Sequence, residues 1–112
     1  MARNFIKSGD VLTLTAPSGG VVSGAAYLIG SLLVVAQNTA AQGNEFEGKT
    51  TGVFALPKAT GQAWTQGAKV YWDNTAKNFT TSSTDNTLAG VAAVAAASGV
   101  STGLARLDGV AR

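Results

Sequence analysis

From Val11 to Thr15 the order Val-Leu-Thr-Leu-Thr alternates apolar and polar residues, the period of a strand with one face buried. Ala16-Pro17-Ser18-Gly19-Gly20 ends it with strong turn chemistry. Val21 and Val22 begin a short second strand that Ser23-Gly24 interrupts. Tyr27 to Ala36 is rich in β-formers but punctuated at Gly30-Ser31, which predicts two short strands rather than one. Asn38 to Asn44 is a polar connection. Glu45 to Thr51 reads as an exposed or edge strand, with Phe46 turned inward between Glu45 and Glu47. Gly52-Val53-Phe54-Ala55-Leu56 reads as an apolar strand stopped by Pro57. Lys58 to Gly67 is loop-like, and Ala68 to Trp72 is a strand. Asp73-Asn74-Thr75-Ala76-Lys77 then forms a hairpin loop that returns through Phe79 and Thr80.

Leu88 to Ala97 is the ambiguous segment, because its alanines favour a helix locally. Gly90 lies inside it, no charged or long polar residue supplies a solvent face, and Ser98-Gly99 precedes another apolar stretch, Leu104 to Leu107. A strand is the preferred reading. Small side chains there allow a second backbone or layer to approach closely, which makes Val91, Val94 and Ala96 candidates for an oligomer interface. The chain as a whole therefore reads as mainly β, a small single domain of short strands with at most one short helix. Residues 1–7 form an N-terminal arm ahead of one β domain over 8–112.

Composition narrows the chemistry. Charged residues are 12% of the 112-residue chain, about half of what soluble domains usually carry, while Ala, Gly, Thr and Val supply more than half of it. That balance suits a protein partly covered by neighbours. The net charge of +2 is spread along the sequence rather than gathered into a phosphate-tracking patch, so nucleic acid is not an expected partner. With no Cys and no His, disulfides, thiolate nucleophiles, the usual zinc sites, imidazole bases and Ser-His-Asp arrangements are all excluded. No catalytic, cofactor or metal site is expected. No charge occurs between Asp10 and Glu45, but Pro17, Gly19, Gly20, Gly24, Gly30 and the intervening serines break that run. Its best apolar stretch, Ala25 to Ala36, falls short of the ~20 residues of a membrane helix. Neither a membrane span nor a secretory signal is expected.

Gly43-Asn44-Glu45-Phe46-Glu47-Gly48-Lys49-Thr50 matches the nucleotide-binding P-loop pattern letter for letter. The working motif leaves a buried strand and enters a helix whose N-terminus faces the phosphates. Asn38 to Gln42 is no such strand, and Gly52, the β-branched residues and Pro57 preclude a long helix afterwards. Glu45 and Glu47 would also set two carboxylates against a polyanion. The expected structure is a polar strand. Asp10, Asp73, Asp85 and Asp108 each neighbour Gly, Asn or Ser and fit turn roles rather than a paired-carboxylate site. Trp64, Tyr71 and Trp72 are candidates for stacking on sugars or bases, the former as an adsorption module would require, although Tyr71 and Trp72 point to opposite faces of a strand. Arg3 and Lys7 flank Phe5 and Ile6 in the arm, which reads either as a frayed end or as an anchor that adds a strand to a partner's sheet edge.

Several blocks together resemble a family of small bacteriophage head proteins, long filed as a domain of unknown function and now regarded as capsid cement or decoration proteins. They are Asn4-Phe5 with Gly9-Asp10-Val11-Leu12, Ala16-Pro17 with Val22-Ser23-Gly24, Gly52 through Thr60, and Trp64 through Asp73, together with the closing stretches Ala89 to Ala92 and Ala105 to Gly109. The resemblance implies a compact β-barrel-like protomer, synthesised in the bacterial host cytoplasm. It implies a homo-oligomer, a trimer, on the outside of the virion capsid, where it binds the major capsid protein and bridges capsomers without a cofactor or a reaction. It also implies that Arg3, Phe5 and Lys7 belong to a shell-facing arm. In this family the stretch aligned with Gly43 to Thr50 is a strand. A recombinase or nucleotide-binding label would follow only from the letter match.

Overall fold

A computed structural model describes residues 9–110; the arm at 1–7, with Arg3, Phe5 and Lys7, lies outside them. Nine strands and no helix occur among the described residues: β1 (Val11–Thr15), β2 (Ala26–Ile29), β3 (Leu32–Ala36), β4 (Glu45–Lys49), β5 (Thr51–Pro57), β6 (Lys69–Asp73), β7 (Asn78–Thr80), β8 (Thr87–Ala92) and β9 (Thr102–Asp108). They form two antiparallel sheets, a four-stranded one in the order β1-β4-β3-β2 and a five-stranded one in the order β5-β9-β8-β6-β7. One of the two curls into a half-barrel. The mainly β, barrel-like single domain expected from the sequence is the fold observed.

The β2-β3 hairpin organises the interior. Leu33 and Val35 join Ala26 in the larger core, while Val34 and Ala36 point the other way into a smaller core around Phe46. Strand β3 is thus buried on both faces, which is why Leu32-Leu33-Val34-Val35-Ala36 reads as an unbroken apolar run instead of an alternation. The hairpin breaks at Gly30-Ser31 as the sequence predicts. The larger core packs Trp64, Trp72 and Phe79 against Val70, Leu56 and Leu107. Phe79 meets Trp72 edge-on at 5.2 Å between ring centroids and Trp64 at 6.2 Å, the geometry that aromatic quadrupoles prefer.

Close approaches place several glycines. A Cβ at Gly90 would collide with the backbone carbonyl of Arg106, and one at Gly103 would enter the Trp64 ring. Gly90 is therefore the point where β8 lies against the β9 backbone, and the segment read as ambiguous is a strand over Thr87–Ala92. Beyond Ala92 the chain turns, and Ala96 forms only an isolated bridge with Trp64. Val21, read as the start of a strand, likewise makes a single bridge, to Ala40. Between β4 and β5 the chain passes from one sheet to the other through Thr50 alone. Buried Thr50 donates its hydroxyl to the Gly9 and Asp10 carbonyls, and Asp10 O also accepts its backbone N–H at 2.7 Å.

Candidate functional site

Strand β4 carries the P-loop letters and no phosphate cradle. All five of its residues pair with β1, and its end also pairs with β3, so it has a neighbour on each side and is not an edge strand. Phe46 is buried between exposed Glu45 and Glu47, as expected. The two glycines of the pattern serve separate ends. Gly43 sits at φ +87° in the turn before β4, and its N–H bonds Ala16 O. Gly48 is buried where a Cβ would press on Val34 and Leu14. Thr50 spends its hydroxyl at the sheet corner. Backbone groups committed to a strand ladder cannot converge on an anion.

The aromatic residues make no stacking platform either. Trp64 and Trp72 are both buried in the larger core, and the Trp72 indole N–H donates to Asn74 Oδ1 at 3.2 Å. Tyr71 is half-buried on the opposite face of β6. The aspartates act in turns: Asp73 Oδ1 accepts the Thr75 and Ala76 N–H groups, and Asp108 Oδ1 accepts that of Val110. Among the described residues no cluster of acidic side chains could hold a metal ion, and no helix is long and apolar enough to cross a membrane.

What remains is a surface. Strand β9 alternates strictly, with Gly103, Ala105 and Leu107 buried and Thr102, Leu104 and Arg106 outward. In register with it, Val53, Arg106, Val91 and Lys69 form one row across β5, β9, β8 and β6. Leu104 and Ala55 form the next pair along. Val94 and Val100 stand beside Leu104 around a shallow cleft of about 290 Å³. Val53, Val94, Val100 and Leu104 are 55%, 44%, 41% and 37% exposed, four of the six largely exposed big apolar side chains among the described residues. Clustering of this kind, rather than the exposure of single residues, makes a surface a candidate for contact. Of the residues proposed from sequence for an oligomer interface, Val91 and Val94 lie on or beside this face, and half-buried Ala96 borders the cleft.

Sequence reasoning missed Lys58, which is buried at 3% exposure. Its ammonium donates to Ala59 O at 2.9 Å and Val100 O at 3.4 Å and lies 5.8 Å from the centroid of the Trp64 ring, a cation–π distance. It ties the loop bearing Val100 to the end of β5. The only signal in the chain was its position beside Pro57, at the close of an apolar strand. The open seam between β2 and β5 holds a second, mostly apolar cleft of about 480 Å³, with Tyr27, Pro57 and Lys77 among its lining residues.

A family model described as phage cement protein matches residues 6–107. Neither the curated proteins nor the solved structures contain a match to the chain. The chain belongs to the phage cement protein family, and with that membership comes a structural, capsid-associated role in the virion.

Proposed function

With membership of the phage cement family as the premise, we propose that the protein binds the outer surface of an assembled head and bridges neighbouring capsomers, making and breaking no bond. The match over residues 6–107 carries this reading. The apolar face of the five-stranded sheet, which no described residue covers, supports it, because a cement protein works through contact area. Binding the assembled lattice of major capsid protein, but not its free subunits, shifts the equilibrium toward the intact shell by mass action.

The protein acts as a homotrimer. Three linked attachments raise the effective concentration of each remaining one, so a modest contact per protomer suffices. Arg3, Phe5 and Lys7 belong to an arm that faces the shell, and Val91, Val94 and Ala96 lie where copies meet. Mixing the purified protein with expanded heads that lack their own cement tests the proposal by co-sedimentation and by resistance of the heads to heat. Saturable binding with a raised disruption temperature is expected. Deleting residues 2 to 7 is expected to leave a folded oligomer that binds heads less well. Heads that neither capture the protein nor gain heat resistance would refute the reading.

A further inference from the structure

The seam between β2 and β5 is walled by two strand edges. Among the described strands β2 has β3 as its one ladder neighbour and β5 has β9, and the two do not pair with each other. In an antiparallel ladder, opposite residues alternate between pairs that exchange hydrogen bonds and pairs that do not. Ala36 N–H donates to Ala25 O, opposite it in the β2-β3 register, so the N–H and C=O groups of Ala26 and Leu28 turn away from β3. Lys58 N–H donates to Ser101 O in the same way, so those of Val53 and Ala55 turn away from β9. Ala26 and Ala55 both line the cleft of about 480 Å³. The free stretch of β5 is bounded, because past Pro57 the same edge meets β7 through the Lys58–Phe79 bridge. Lys77 is the one charged side chain among the described residues that line the cleft. It is held at φ +59°, an uncommon state for a residue with a Cβ. Its ammonium donates to Asn74 Oδ1 at 2.9 Å, and the same oxygen accepts the Trp72 indole N–H from the cleft wall. Asp73, the carboxylate of that hairpin, is turned into its own loop, where Oδ1 accepts the Thr75 and Ala76 N–H groups.

We infer that this cleft takes an extended peptide segment of the shell protein as an added strand, with an acidic side chain of that segment on Lys77. Open strand edges on both walls call for a peptide backbone, which would stand about 4.8 Å from each neighbouring strand. A segment flanked on both sides cannot already belong to a sheet, and that excludes the nine described strands of a second copy, each of which has a partner. The stretch of this chain ahead of β1 carries Arg3 and Lys7, and the residues after Val110 end in Arg112. Both have the sign of Lys77, and like charges oppose docking there. A segment that is acidic and otherwise apolar suits the single cation and the walls formed by Ala26, Leu56 and Trp72. The inference rests on the reading of the protein as a capsid cement and names the place where the shell enters it.

Expanded heads that lack their own cement are the probe. Lys77→Glu is expected to raise the protein concentration for half-saturation of the heads about tenfold or more, read by co-sedimentation of the full chain. Lys77→Arg keeps the charge and is expected to bind like the wild type. Ala55→Pro removes an edge N–H that the β9 ladder does not use, at the kind of position where sheets tolerate proline, and is expected to weaken head binding by a similar factor. Circular dichroism shows whether each variant is folded. Amide exchange on the wild-type protein reads the same pairing without a mutation: the amides of Ala26, Leu28, Val53 and Ala55 are expected to slow about tenfold or more when the protein is on heads. Undiminished binding by folded Lys77→Glu, or amides at those four positions that exchange equally fast on and off the heads, would overturn the inference and leave the cement reading standing. Heads that capture no wild-type protein would overturn both. If the cleft variants dissociate an oligomer and keep their grip on heads, a second copy fills the cleft and the inference fails.

Discussion

Strands β3 and β9 lie in different sheets and handle burial in opposite ways. Strand β3 has a core on each side, so every residue from Leu33 to Ala36 is buried and the sequence there is continuously apolar. Strand β9 has a core on one side only, and its residues alternate between buried and exposed. The contrast shows which surfaces the chain covers for itself. Around β3 the molecule is finished, with loops bearing Val21 and Ala40 closing the smaller core. Outside β9 it is open among the described residues, and that face carries valines and a leucine that no described layer covers.

Because β3 belongs to both cores, disturbing either should be felt by the whole molecule. Trp72→Ala removes the nearer of the two indoles packed against Phe79 and is expected to cost about 4 kcal/mol, measured by chemical denaturation. Phe46→Ala empties the smaller core, whose flanking loops can settle inward, and should cost about 3 kcal/mol. Both variants should still unfold in one transition, and two separate transitions for Phe46→Ala would break the picture of a shared strand. Lys58→Met leaves the Val100 and Ala59 carbonyls short of a donor and should cost about 1–2 kcal/mol, with faster amide exchange in the 97–101 loop as its local signature. The smallest effects belong to the open face. Val53→Ser and Leu104→Ser should change stability by no more than about 0.5 kcal/mol while weakening self-association. Lys49→Ala should alter neither stability beyond that range nor calorimetric heats with ATP, and saturable ATP binding lost in this variant would restore the P-loop reading.

How far the sequence could be read follows from the same contrast. Strand β1 was legible to the residue because its alternation coincides with one-sided burial, and the break at Gly30-Ser31 because glycine and serine punctuate a β-rich run. Phe46 between two glutamates announced its own direction. Strand β5 was harder: Val53 and Ala55 look like core residues in Gly-Val-Phe-Ala-Leu, yet both face outward beside Leu56 turned in. Their outward face is itself apolar, which erased the alternation. The position of β4 between β1 and β3 was hidden because it depends on pairing across more than thirty residues, between Val11 and Lys49, and no local pattern encodes that. Glycines 48 and 103 were unreadable as packing devices for the same reason, since what each one admits is a neighbour distant in sequence, whereas the small side chains around Gly90 announced a close backbone approach without saying which backbone makes it.

The corner at Thr50 has a practical sequel. Gly9 and Asp10 bond to Thr50, and Gly109 abuts Thr51 beside it, so the first and last described residues flank one point of the molecule. A short engineered linker should splice them, with fresh ends opened in the exposed 81–85 loop, yielding a circular permutant that retains the β-sheet pairing. Such a rearranged chain would present a fused peptide from the opposite end of β7, giving display engineers a choice of two exit points on one scaffold.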